Sequence, residues 1–181
     1  MKATGIVRRI DDLGRVVVPK EIRRTLHIRE GDPLEIFTDR EGEIILKKYS
    51  LIGELSGFSK QYAEALAQTS GHIVSITDRD QHIAVSGQGK KELLGKPLSK
   101  ALERMIHQRM SNCCSQKDKA FVELIPGEND AFQSEVICPI IAEGDAIGAV
   151  IIASRDEKYK MGEVEKKLAA AAAAFLGRQM E

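Results

Sequence analysis

The sequence has no net charge, no long apolar run and few cysteines, and each shortage closes off a class of protein. Twenty-seven Lys and Arg balance twenty-seven Asp and Glu over 181 residues, so the chain is not a polycation that coats nucleic acid or membrane at random. No stretch approaches the roughly 20 apolar residues that cross a bilayer. Met1 to Gly5 runs straight into charged residues and lacks a signal-peptide apolar core. The three cysteines, Cys113, Cys114 and Cys138, are odd in number and lack metal-ligand spacing, and neighbouring cysteines bridge only under strain. His27, His72, His82 and His107 are scattered and fit no metal pattern. The loop from Gly87 to Lys90 lacks the glycine spacing of a Walker motif. The pair Cys138–Pro139 is too short to count as a haem signal. The expectation is a cytoplasmic, reduced protein with no catalytic residues, metal, cofactor or membrane partner.

What is present is concentrated near the N-terminus. Hydrophobic residues make up 43% and charged residues 30%, enough apolar material for one large domain or two small ones. Between Val7 and Ile28 the basic residues Arg8, Arg9, Arg15, Lys20, Arg23 and Arg24 face the acids Asp11, Asp12 and Glu21, a local excess of three positive charges. A basic face on a neutral protein suits a specific nucleic-acid contact.

The same stretch has legible local structure. Ile6 to Ile10 is extended, Asp11 to Gly14 supplies a turn, and Val16 to Val18 continues as a β-branched strand. Pro19 fixes φ for a short helix, Lys20 to Leu26, and the cluster Glu30 to Pro33 breaks the chain. Leu34 to Thr38 and Glu43 to Lys48 form a second hairpin around Arg40, Glu41 and Gly42. So short a unit buries little apolar surface alone and is expected to be an obligate dimer.

From Leu51 the period turns helical. Leu51, Leu55, Phe58, Tyr62 and Leu66 make a narrow stripe, suited either to a seam between subunits or to packing on the next sheet. The remainder reads as α+β, with strands at His72 to Thr77, His82 to Ser86, Ala120 to Ile125, Ser134 to Ile141 and Ala146 to Ala153. A helix over Leu98 to Met110 is capped by Ser99, and Cys113 and Cys114 fall in the loop after it. The last helix runs from Gly162 to Gln179 with Val164, Leu168, Ala172, Phe175 and Leu176 on one side. Its alanine run, Ala169 to Ala174, permits close helix–helix approach.

The run GIVRRIDDLGRVVVPKEIRRTL from Gly5, followed by GDPLEI from Gly31, resembles the AbrB-type swapped-hairpin DNA-binding domain. The whole chain resembles a family of forespore regulators in which an AbrB-like domain precedes a GAF-like domain, with further likeness at IGAVI from Ile147 and MGEVE from Met161. The resemblance implies an N-terminal swapped-hairpin β-barrel dimer plus a C-terminal GAF-like α/β sensor domain. The divisions are 1–52 for DNA binding, 53–70 for a connecting helix and 71–181 for the GAF-like domain. It implies that Arg8, Arg15, Arg23 and Arg24 meet double-stranded DNA, and Arg9 and Lys20 join them as neighbours. It also implies control of late sporulation genes by activation and repression. The assembly is expected to be a homo-oligomer, a tetramer of paired N-terminal dimers, with an unidentified small-molecule ligand in the second domain.

Arginine forks onto phosphate or onto guanine O6 and N7, so these side chains can both position and read. Two other readings compete. An antitoxin-like repressor uses the same hairpin fold, usually with a short flexible tail. A GAF-fold redox enzyme, of the methionine sulfoxide reductase kind, would need the cysteines. The signature of cyclic-nucleotide GAF domains is missing, which argues against cyclic GMP.

Overall fold

The computed structural model describes residues 5–50, 52, 56–88, 90–127 and 132–180. The chain divides into two compact units, Met1–Tyr49 and Ser50–Glu181.

Among the described residues the first unit contains one helix, α1 (Lys20–Thr25), and one antiparallel hairpin, β1 (Leu34–Thr38) with β2 (Ile44–Lys48). Pro19 precedes α1 with extended ψ, and its carbonyl takes the Arg23 N–H at 2.9 Å. The helix ends where His27 turns left-handed at φ 52° and the Ile28 N–H returns to the Arg23 carbonyl at 2.7 Å. Asp32 then ties this end to the hairpin: its carboxylate accepts the Arg29 N–H at 2.8 Å and meets Lys48 Nζ at 3.0 Å. Lys48 in turn donates to the His27 carbonyl at 2.8 Å. Burial opposes ionisation of Asp32, yet the Arg29 N–H and the Lys48 ammonium hold its carboxyl below the usual range.

Ile6 to Ile10 and Val16 to Val18 differ from expectation in forming no assigned strand. The turn between them closes, with the Asp11 N–H on the Arg15 carbonyl at 3.0 Å, but neither flank continues as a β-ladder among the described residues. A strand needs a regular ladder of partners for its backbone groups, and the described residues form none along these flanks. The consequence for burial is plain. Of residues 5–49 only Pro19 is buried, while Val7 is 85% exposed and Ile44 70%.

The second unit is a five-stranded antiparallel sheet of order β4-β3-β7-β6-β5. Its strands are β3 (Ile73–Thr77), β4 (His82–Ser86), β5 (Asn112–Ser115), β6 (Ser134–Ala142) and β7 (Asp145–Ser154). Helices α2 (Ser56–Ser70) and α5 (Glu163–Arg178) pack on one face through Ala63, Leu66, Ala172 and Leu176. The other face carries α3 (Lys90–Leu93), α4 (Lys100–His107) and the long connection before β6, through Leu93, Leu102, Leu124 and Phe132. Ser99 caps α4 as expected, accepting the Leu102 N–H at 3.0 Å. At Gly148 in β7 an added Cβ would run into the Thr77 carbonyl, so glycine is what lets β3 and β7 close.

Three expectations for this unit are corrected. Ala120 to Ile125 is not a strand, because two side chains and the Ser99 N–H claim its backbone. Glu135 takes the Val122 N–H at 2.8 Å, while the Leu124 carbonyl accepts from the Ser99 N–H and faces His82 Nε2 at 3.3 Å. Cys113 and Cys114 lie not in a loop but in edge strand β5, paired with Val136 and Glu135. The buried face of α5 is rolled toward its alanines: Ala169, Ala172 and Ala173 lie against the sheet, whereas Val164 is exposed. Small side chains let a helix sit close on a strand, so the run serves helix–sheet contact. In the expected stripe, Tyr62 and Leu66 pack on the core, Phe58 is partly exposed, and Leu51 and Leu55 lie outside the described residues.

Candidate nucleic-acid interface

Two tips of the first unit are built on one device. In the first, Asp11 Oδ1 accepts the N–H groups of Leu13 at 3.0 Å and Arg15 at 2.8 Å. In the second, Asp39 Oδ1 accepts those of Glu41 at 3.0 Å and Glu43 at 2.9 Å. Each tip closes through a glycine N–H on the aspartate carbonyl, from Gly14 at 3.0 Å and Gly42 at 3.4 Å. Those glycines sit at φ 76° and 83°, a left-handed geometry that side chains resist. The tips differ in the residue that follows the glycine, Arg15 in the first and Glu43 in the second. The second gathers Asp39, Glu41 and Glu43, and the first displays Arg15.

The cations expected to meet DNA lie on the first tip, its flanks and α1. Arg8, Arg9, Arg15, Lys20 and Arg24 are exposed, and Arg23 is half-exposed. Among the described residues, Arg8 reaches its neighbour, the Val7 carbonyl, at 3.4 Å. Arg15 Nε pairs with Asp11 Oδ2 at 2.9 Å. The Arg15 N–H, and then its guanidinium, hold the Asp11 carboxyl below its ordinary range. Sequence reasoning treated Asp11 as turn chemistry and missed this pairing, and it missed the Asp32–Lys48 tie altogether. The repeated spacing Asp-x-x-Gly, at Asp11 and again at Asp39, was the available signal.

In the second unit a groove of about 380 Å³ lies among the end of α2 and the ends of β3, β4 and β7. Its walls include His72, Gln88, Arg155, Asp156 and Tyr159. The His72 and Tyr159 rings meet at 4.3 Å between centroids, and Tyr159 donates to Glu165 at 2.7 Å. Arg155 is paired with Glu92 and lies over the Phe132 ring.

On the sheet face beneath the long connection, Glu135 is wholly buried. Burial pushes its carboxyl up to about 8, against the pull of the Val122 N–H. Its Oε2 has no hydrogen-bond partner among the described residues. Cys114 lies beside it, Sγ to Oε1 3.7 Å, and burial with the Glu135 charge pushes that thiol up to about 12. Cys113 is also raised by burial. A nucleophilic cysteine needs the opposite shift. All three cysteines are free thiols. His82 is buried as a structural residue, its Nδ1 2.7 Å from Ser75 Oγ, and burial lowers its pKa to about 4.

A cationic, exposed face on one unit and a closed antiparallel α/β sandwich on the other define a two-part DNA-binding regulator. Comparison with known proteins narrows that class. The model of "Stage V sporulation protein T C-terminal, transcription factor" matches residues 54–181, and that of "Antidote-toxin recognition MazE, bacterial antitoxin" matches residues 7–53. Stage V sporulation protein T of Bacillus subtilis (strain 168) is 60% identical over 181 residues, spanning 100% of this chain and 99% of that protein. Transition state regulatory protein AbrB of the same organism is 67% identical over 49 residues, 27% of this chain and 50% of that protein. Among solved structures, the GAF domain of an Acinetobacter phosphoenolpyruvate-protein phosphotransferase superposes with a TM-score of 0.56 at 14% identity, covering 74% of this chain and 84% of that one. That likeness establishes the GAF-like fold of the second unit. The chain belongs to the stage V sporulation protein T family and is a sporulation transcription regulator with an AbrB-like DNA-binding domain.

Proposed function

We propose that the chain binds double-stranded DNA as a homo-oligomer through Arg8, Arg9, Arg15, Lys20, Arg23 and Arg24, and activates and represses late forespore genes from the cytoplasm. The carrying observation is the coincidence of these exposed cations with an N-terminal unit that has almost nothing buried. The DNA-binding domain is assigned to 1–52, a connecting helix to 53–70 and the GAF-like domain to 71–181. Exposed Val7, Ile10, Val17, Leu26, Ile36 and Ile44 are surface that a second copy would cover, completing a swapped-hairpin barrel. In the second unit Phe58, Tyr62 and Phe175 stack at 5.5 to 6.1 Å, and Phe58 and Phe175 remain partly exposed. This aromatic seam suits pairing of two dimers into a tetramer.

The second unit is assigned a sensing or assembling role without catalysis. A ligand would act by favouring one placement of the two DNA-binding dimers over others. The raised cysteines argue against the redox-enzyme reading. A folded unit over residues 54–181, in place of a short tail, argues against the antitoxin reading.

The test is DNA binding by the full-length protein, followed by anisotropy across salt concentration. If a dimer neutralises about six phosphates, log affinity falls against log salt with a slope of about −5. Arg23→Ala should make the slope shallower. A slope near zero, or variants indistinguishable from wild type, would overturn the assignment of these residues. Native mass spectrometry of the same sample tests the tetramer, and added mass would reveal a retained small molecule.

A further inference from the structure

The paired hairpin tips of the first unit supply an internal control. Both turns close on Oδ1 of an aspartate, and the second does so with Glu43 where the first has Arg15. The turn therefore needs only the one oxygen. In the first tip the other oxygen, Oδ2, takes Arg15 Nε at 2.9 Å. This bond engages the guanidinium through Nε and leaves the edge formed by the two Nη groups as the fork. The Arg15 side chain stays 69% exposed, so the forked edge that reads guanine or grips phosphate is presented to solvent in a restrained orientation.

A free arginine gives up most of its rotamer freedom when it docks, whereas a restrained one has already lost part of it. An acid beside DNA, on the other hand, repels phosphate. These two effects have opposite signs on different substrates, which makes them separable.

We propose that Asp11 is a positioning residue that holds Arg15 in its DNA-reading orientation, so that it sharpens sequence discrimination while weakening sequence-independent binding. The inference rests on the reading that Arg15 touches DNA. Asp11 acts through Arg15 and need not itself contact the duplex. Its low carboxyl pKa keeps the pairing charged throughout the neutral range.

The experiment uses the full-length protein and two probes: the duplex that wild type selects from a random 20-base-pair library, and a scrambled duplex of the same composition. Asp11→Asn keeps an Oδ1 acceptor for the turn and places an amide opposite Arg15 Nε. It should lose roughly two- to tenfold on the selected duplex and bind the scrambled one as well as, or better than, wild type. Arg15→Ala should lose roughly ten- to a hundredfold on the selected duplex, and adding Asp11→Asn to it should cost nothing more. Asp39→Asn makes the same change at the acidic tip and should leave discrimination unaltered.

If Asp11→Asn tightens both duplexes equally, Asp11 is a repelling charge and the positioning role is wrong. An equal loss from Asp39→Asn would overturn it too, by assigning the effect to turn integrity. If Arg15→Ala binds the selected duplex like wild type, the assignment of Arg15 to DNA fails, and the role of Asp11 falls with it.

Discussion

The two units solve opposite problems. In the second, Ile76, Leu102, Ile137, Ile151 and Leu176 are almost completely buried, and a sheet with helices on both faces closes around them. In the first, one proline is buried among residues 5–49, and β-branched side chains stand in solvent. Hydrophobic burial is the main favourable term in folding. The second unit therefore has its core within the chain, while the first displays apolar surface that the proposed pairing with a second copy would cover. A regulator paired in this way would couple its DNA-binding surface to its own concentration.

The comparison can be broken most forcefully at Gly148. A Cβ there collides with the Thr77 backbone, which cannot swing away as a long side chain would. Gly148→Ala should destabilise the second unit by about 3 kcal/mol or more, seen as a lost or lowered thermal transition. Retention of the wild-type transition would mean that β3 and β7 are not held as tightly as the geometry requires.

A smaller effect should come from pH, and between about 4.5 and 8 it is expected from two groups of the second unit. His82 is lowered from 6.5 to about 4, so the unfolded chain binds more protons between those values and stability rises with pH there. Glu135 is raised from 4.5 to about 8, so the folded chain binds more protons and stability falls as pH climbs through that window. The two slopes oppose each other between about 4.5 and 6.5, leaving a flat region. Above 6.5 only the Glu135 slope remains, and stability should decline toward pH 8. Urea unfolding across pH would test this, with Glu135→Gln expected to abolish the decline.

The mildest effect sharpens the comparison directly. Each tenfold dilution should lower the apparent stability of residues 5–49 by about 1.4 kcal/mol, read as faster amide exchange in that segment. Exchange in the β6–β7 hairpin should change much less. Equal dilution dependence in both units would mean that the second unit also depends on its partner for its fold.

What the sequence disclosed was what is local. The hairpin tips, the Pro19 start of α1 and the Ser99 cap follow from neighbouring residues, and each was legible. β5 was hidden because Asn-Cys-Cys-Ser carries no β-branched residue and pairs with a strand twenty residues away. Ala120 to Ile125 has the composition of a strand, but Glu135, His82 and Ser99 take its backbone groups, a competition no local window contains. The phase of α5 was misread because alanine looks neutral in a periodicity count and proved to be the packing face. At the interface the cations could be read as charge. The orientation of Arg15 could not, since it depends on which oxygen of Asp11 the turn leaves over.

The neighbouring thiols of β5 have a practical consequence. Successive strand residues point to opposite faces, so Cys113 sits with the α2/α5 layer while Cys114 sits beside Glu135 under the other. An alkylating reagent that labels one before the other would report which layer of the sandwich loosens first, giving the domain two reporters one peptide bond apart.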